Sequence, residues 1–485
     1  MDLQDAHTRC KTDLARAIEQ LQGKVEPTQL ETITELIVQT MTGPWRYFHT
    51  PEHIFDVGGS VAPIEVLAAL FHDLVYVQVD QGVSLNIGGY IAPFVKEVQK
   101  QLVIRDVTEQ PASLMFEIVT AIFGFAPGQV LSPTAGQNEF LSAVIAAQSL
   151  EPCLSPSIIA QITACIEATI PFRSLSASGL NPSETLHQRL VIANNRFNFG
   201  WNETQIVEIV KRCVRLGNRD VENFAYPNSA IFLDNTWNLL PETNHELINA
   251  NSYKVAEYRR SLQNMEKFMN FLSPERVFQR FMGEPDEETF QALILGTQKN
   301  LEVAKLYLGC KLVSIAIIEA LSLRLAHDIP LSTLMGELPI QGSKTPSLED
   351  FIPTNIQSTQ KPETALEREV LELLTKGRNQ ESNYDLKNSP IATFIVNSMG
   401  FTSVRYLINR AKEFFVETIS PDEFLKECDP NAIATIIDGI EKLFTSRVSA
   451  LRGLSGDTTL MFEPSQATKS TPGQELVSEA QPQMS

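Results

Sequence analysis

The sequence predicts an all-α helical bundle, and three observations carry that expectation. Apolar residues recur at three- and four-residue spacing almost throughout. No run alternates apolar and polar residues as a half-buried strand would. Proline and glycine punctuate the periodic stretches. At 485 residues the chain can bury a large core and suggests two to three domains.

Taken in order, segments 9–22 and 28–42 read as two opening helices, the second stopped by Gly43-Pro44. Thr50 reads as an N-cap and Pro51 as the first residue of a short helix ended by Gly58-Gly59. Pro63 opens the next helix, over 63–78, on which Val66, Leu67, Leu70, Phe71 and Leu74 repeat at helical spacing. Further helices are expected at 88–103, 112–123, 137–149, 155–169, 183–194 and 203–224. Beyond Asn235-Thr-Trp-Asn-Leu-Leu-Pro241 the patterns resume at 245–272, 274–282 and 287–326, and later at 363–376, 402–415 and 421–449. The domain reading is 1–235 as one domain, 236–335 as a helical extension, and 336–362 as a Gly/Pro/Ser/Thr-rich linker. Residues 363–452 form a second small helical region, and 453–485 a polar, disordered tail.

Chemistry concentrates near the N-terminus. The chain has seven histidines, and three of them, His49, His53 and His72, fall within 24 residues, with Asp73 beside the last. Imidazole and carboxylate are standard ligands of divalent metals, and the capping signals put these residues on two short helices that can converge. His53 sits in a first helical turn, where the helix dipole favours a neutral imidazole. Farther along, Asn202 caps a helix whose Ile206, Val210, Cys213, Gly217, Asp220 and Phe224 share one face. Asp220 therefore faces the core. A buried carboxylate needs a partner, which a metal or one of Arg196, Arg212 and Arg219 could supply. Gly217, one turn earlier, would admit a close backbone.

The stretch Arg46-Tyr-Phe-His-Thr-Pro-Glu-His53, followed by His72-Asp73, resembles the HD-domain superfamily of metal-dependent phosphohydrolases over residues 40–225. The nearest likeness is to the branch with a Tyr-His-Asn-x-x-His stretch, which includes cyclic-nucleotide phosphodiesterases and bacterial predicted phosphohydrolases. Phe48 stands here for the tyrosine and Thr50 for the asparagine. The resemblance implies an HD-like bundle, a divalent ion (Mn, Fe, Zn, Co or Mg) on His53, His72, Asp73 and Asp220, and His49 as the catalytic acid, with Asp73 also part of the catalytic set. The ion would activate water to attack phosphorus. Arg46, Arg173 and Asn86 are candidates to hold substrate, the arginines through planar forks on phosphate. Two departures stand out: no glutamate follows Asn86, and Pro171-Phe172-Arg173 occupies a stretch where many relatives carry histidine. The alternative these favour is a degenerate domain that binds a nucleotide or metal and signals to the C-terminal helices. A third reading is a purely structural helical scaffold.

Other features are read blandly. His327-Asp328 follows a long apolar pattern, has no suitably spaced upstream histidine, and is expected to be a helix end. His187 and His245 lie among polar neighbours and read as surface residues. With 58 acidic against 39 basic residues the net charge is −19, and no basic run could track a polyanion. The expected partner is a small phosphorylated substrate or nucleotide rather than long nucleic acid, with homo-oligomerisation left open. Cys10, Cys153, Cys165, Cys213, Cys310 and Cys428 are scattered, without a zinc-knuckle or disulfide spacing. The N-terminal stretch lacks a charged segment followed by an apolar core, and continuous apolar runs reach about 10 to 14 residues, so no membrane span and a cytoplasmic location are expected.

Overall fold

The computed structural model describes residues 1–59, 62–249, 252–324, 330–331, 347–353 and 361–443. The pair His327-Asp328, most of the expected linker and the whole expected tail lie outside these residues.

The described chain is all-α apart from one two-stranded hairpin. The helices that build the site are α1 (Leu3–Gln20), α2 (Pro27–Met41), α3 (Pro51–Gly58), α4 (Pro63–His72), α5 (Leu85–Ile91), α6 (Leu114–Phe123), α7 (Gln137–Leu150), α8 (Pro156–Ala168), α9 (Pro182–Phe197), α10 (Glu203–Asp220) and α11 (Ser229–Thr243). Three expected start signals hold, Pro51 for α3, Pro63 for α4 and Asn202 for α10, whereas Thr50 stands at the N-cap of α3 without a side-chain capping bond. Proline occupies the first turn of α2, α3, α4, α8 and α9, where its missing N–H costs nothing. Asn181 and Asn202 each close a reciprocal capping box.

The centre of the bundle is α4. Every residue from Ile64 to His72 is buried, so the helix is apolar nearly all round and needs neighbours on every side. It gets them from α1, α3, α7 and α8, while α8 packs in turn on α6, α7, α9 and α10. The α8–α10 contact is backbone-close: a Cβ built on Gly217 would lie 2.6 Å from the Ala168 carbonyl oxygen. That is the close approach the glycine predicts.

Several expectations need correction: the helix expected over 63–78 ends at His72, 274–282 is helical only over Pro274–Val277, and 421–449 is broken between Pro421–Glu427 and Pro430–Leu443. The segment 88–103 is not one helix. Helix α5 ends at Ile91, and Val95–Val98 (β1) pairs antiparallel with Gln101–Ile104 (β2) around Gln99-Lys100. Residues 235–241 are not a break either: α11 runs through them with Pro241 inside and Trp237 buried.

By compactness the chain divides into two units. The first comprises Met1–His245 with Asn270–Leu301, and the second Glu246–Met269 with the described residues from Glu302 on. The first unit runs past residue 235 to His245, and described residues between 236 and 335 fall in both units. In the second unit, Pro390–Phe415 is two helices joined at Gly400 (φ 75°): the one after the kink is the helix expected at 402–415, and the one before it was not anticipated. Helices Ala365–Lys376, Pro421–Glu427 and Pro430–Leu443 also belong to it, with most of Val255–Phe271 and the part of Glu287–Arg324 from Glu302 on.

Candidate metal centre

Four side chains from three elements meet in the first unit. α3 carries His53 in its first turn, α4 ends on His72 with Asp73 as its C-cap, and α10 ends on Asp220. Their ligand atoms all lie within 4.8 Å of one another. His53 Nε2 is 3.2 Å from Asp73 Oδ2 and 3.1 Å from Asp220 Oδ1. His72 Nε2 is 2.9 and 3.2 Å from the same two oxygens. Nitrogen and oxygen thus alternate around a ring. Neighbouring ligands at about 2.1 Å from a first-row divalent ion would be about 3.0 Å apart in an octahedron, the spacing found here.

Proton positions follow from the partners. His72 Nδ1 lies 2.7 Å from the Ala69 carbonyl oxygen, which can only accept, so Nδ1 carries the hydrogen and Nε2 faces the carboxylates. Asp73 Oδ2 is buried yet makes no hydrogen bond, despite two imidazole nitrogens close by. Both Nε2 atoms are in hydrogen-bond geometry with Asp220 Oδ1, so it is the Asp73 oxygen that is left for a further partner. This is an arrangement that a cation fits, and the buried His/Asp group could hold a divalent ion.

Without an ion, protons must do its work. Burial opposes a charge on His53, but the Asp220 and Asp73 carboxylates outweigh it and push the imidazole up to about 9. Burial is likewise overcome at His72, raised well above the usual range by the same carboxylates. Asp73 and Asp220 are held below the usual carboxylate range, against burial, chiefly by His72.

Comparison of the chain with protein-family models, curated proteins and solved structures finds no match.

His49 stands just outside the quartet. Its ring lies edge-on to His53, centroids 5.8 Å apart, and to Tyr76 at 4.6 Å. Glu242 of α11 holds it. One carboxylate oxygen accepts the backbone N–H groups of Tyr47, Phe48 and His49 at 2.7, 2.8 and 3.0 Å, and the other lies 2.6 Å from His49 Nδ1. Burial pushes Glu242 up, but His49 and the backbone donors outweigh it and leave the carboxylate below its ordinary value. An ionised Glu242 fixes the hydrogen on Nδ1 and leaves Nε2 as the working nitrogen.

The sequence gives no signal for Glu242, 193 residues away and beyond the supposed break. Glu139, on the first turn of α7, was also missed. Burial, reinforced by Asp73 and Asp220, pushes its carboxyl up to about 7. Beside it Asn138 and Ser142 accept the N–H groups of Val77 and Val75, tying α7 to the chain just past Asp73.

The three substrate-binding candidates have other work. The Arg46 guanidinium is buried, paired with Asp80 at 2.6 Å and bonded to the carbonyls of Asp73 and Leu74, so it fixes the turn after the His-Asp pair. Arg173 is paired with buried Glu167 at 2.6 Å. Asn86 is exposed on α5 and donates to Thr40 Oγ1 at 2.8 Å. The arginine alternative for Asp220 also fails: Arg196 pairs with Glu117, Arg212 bonds Gln161, and Arg219 pairs with Glu65. Nor are two other histidines plain surface residues. His245 stacks on Trp45 at 4.5 Å, and His187 packs on Phe281 at 5.5 Å.

Proposed function

We propose that the first unit is a metal-dependent phosphohydrolase that cleaves a small phosphomonoester or phosphodiester, in keeping with the HD-like residue pattern. The observation that carries this is the His53–Asp73–His72–Asp220 ring, with its orphaned Asp73 oxygen and its fixed His72 tautomer. When bound, a divalent ion supplies Lewis acidity, drawing the pKa of a water towards neutrality and neutralising phosphoryl oxygens.

The chain's own groups do the rest. His49 Nε2 holds the proton that the leaving oxygen takes, and Glu242 keeps the ring oriented through Nδ1. The rings of Phe48 and Tyr76, against His53 and His49, exclude water from that side. Six free, buried cysteines, with the Cys165 and Cys213 thiols hydrogen-bonded at 3.6 Å rather than joined as a disulfide, support a reducing, cytoplasmic setting.

A second reading is favoured by one observation: Arg46, Arg173 and Asn86 are all engaged elsewhere, as a domain that binds without turnover would tolerate. One experiment separates the readings. Metal content of the wild type and Asp73→Ala is measured by elemental mass spectrometry, followed by phosphate release from a panel of phosphoesters. About one ion per wild-type chain, almost none in the variant, and metal-dependent release support the enzyme. Bound metal without release supports the binding module. No uptake of Mn, Fe, Zn, Co or Mg by the wild type would sink both.

A further inference from the structure

Apart from the quartet, the first unit contains a cavity of about 440 Å³. Its walls are the link after α8, the start of α9, the inner face of α10 at Gly217 and Val221, and residues 275–280. Small-molecule sites run from about 300 to 1,000 Å³, so this one suits a ligand of one ring system and a charged group.

The titratable side chains lining the cavity are Arg173, Arg276 and Arg280 against Glu275. Arg173 and Arg280 are paired with Glu167 and Glu287, which leaves Arg276 as the guanidinium without a carboxylate pair. A guanidinium so placed on a cavity wall attracts an anion locally, even in a chain of net charge −19. The α9 N-terminus, at Asn181 and Pro182, adds its positive dipole end to the same wall.

Two further observations point to a ligand. Arg173 Nε is buried without a hydrogen-bond partner, though the rest of that guanidinium is satisfied by Glu167. Phe172, beside it, holds φ +54°, a left-handed conformation costing a bulky residue on the order of 1–2 kcal/mol. Strain of this kind persists where surrounding structure over-determines it, and here it sets Phe172 and Arg173 side by side in the wall. Arg276 is exposed and reaches Ser174 Oγ at 3.4 Å, which leaves most of its fork for a ligand. Phe278 and Phe290 supply apolar surface around these charges.

We propose that this cavity binds a small organic anion, with its phosphate or similar group on Arg276 and Arg173 and its flat apolar body against the phenylalanines. The site is separate from the quartet and does not depend on a metal. The probe is 1-naphthyl phosphate, titrated calorimetrically into the full chain after chelation, with 1-naphthol and inorganic phosphate as its two halves. Saturable binding is expected, at least tenfold tighter than either half. Arg276→Gln and Leu175→Trp, both at exposed positions on the cavity, should each weaken it at least tenfold. No binding, equal binding of naphthol, or binding unchanged in both variants would overturn the proposal. Metal content of the same samples decides the quartet independently, so either conclusion can fail alone.

Discussion

At the scale of single residues, the question is what holds four ionisable groups together in a buried space. In the metal-free protein the answer is two imidazolium–carboxylate pairs, and this has a pH signature. His53 rises from an ordinary 6.5 to about 9 on folding, so its contribution is fully present below about 6.5 and lost as pH rises through about 9. Thermal melts of chelated protein should therefore fall in Tm between pH 7 and 10. Metal binding should strengthen over the same range, because the ion competes with those protons. Glu139 behaves in the opposite sense to a salt-bridged carboxylate. Its folded value of about 7 lies above its ordinary 4.5, so the folded state holds an extra proton between them and stability declines as pH rises through that window. Glu139→Gln should raise Tm at pH 8 and leave it nearly unchanged at pH 4. A Glu242→Gln variant should keep its metal while losing roughly 10²-fold in kcat, the size of a misplaced general acid. An equal loss of metal would make Glu242 merely structural.

At the scale of elements, two backbone details can be tested. Gly217 lets α10 lie against the end of α8, and a methyl there would meet the Ala168 carbonyl at 2.6 Å. Gly217→Ala should cost about 1–3 kcal/mol in chemical denaturation. It should also weaken metal uptake, since Asp220 lies one turn farther along the displaced helix. The hairpin turn offers the reverse case. Gln99 and Lys100 hold φ of 51° and 64°, the left-handed pair of a two-residue turn that prefers Asn-Gly. Replacing them with Asn and Gly together should stabilise the protein by about 1 kcal/mol, read as a higher denaturant midpoint.

At the scale of the molecule, the ligands come from three helices separated by up to 167 residues, so an ion would tie α3, α4 and α10 together. Chelation should therefore lower Tm, by an amount that grows with the concentration of metal restored, as binding to the folded state alone requires. Among the described residues, two helical stretches, Glu287–Arg324 and Pro390–Phe415, are long and apolar enough to cross a membrane by length and composition, but the second is broken at Gly400. In the most apolar window of the first, 89% is buried within the protein, as in a core helix.

Much of the helical layout, including the prolines and caps that open α3, α4, α9 and α10, was determined by the sequence, because those signals are local. So was the convergence of His53, His72 and Asp73, whose separation is short. Asp220 was legible as buried from its place on an apolar face; its grouping with His53, His72 and Asp73 was implied by the family resemblance, since a face says only that a carboxylate is buried. Tertiary structure diverted Arg46 and Arg173 to Asp80 and Glu167, and brought Glu242 to His49 across 193 residues. It also made a hairpin of 95–104, where Gln-Lys lacks the turn residues that advertise one and pairing alone satisfies the backbone. Periodicity records which face a residue presents; which buried charge meets which is settled only when distant elements pack and each must find a counterpart.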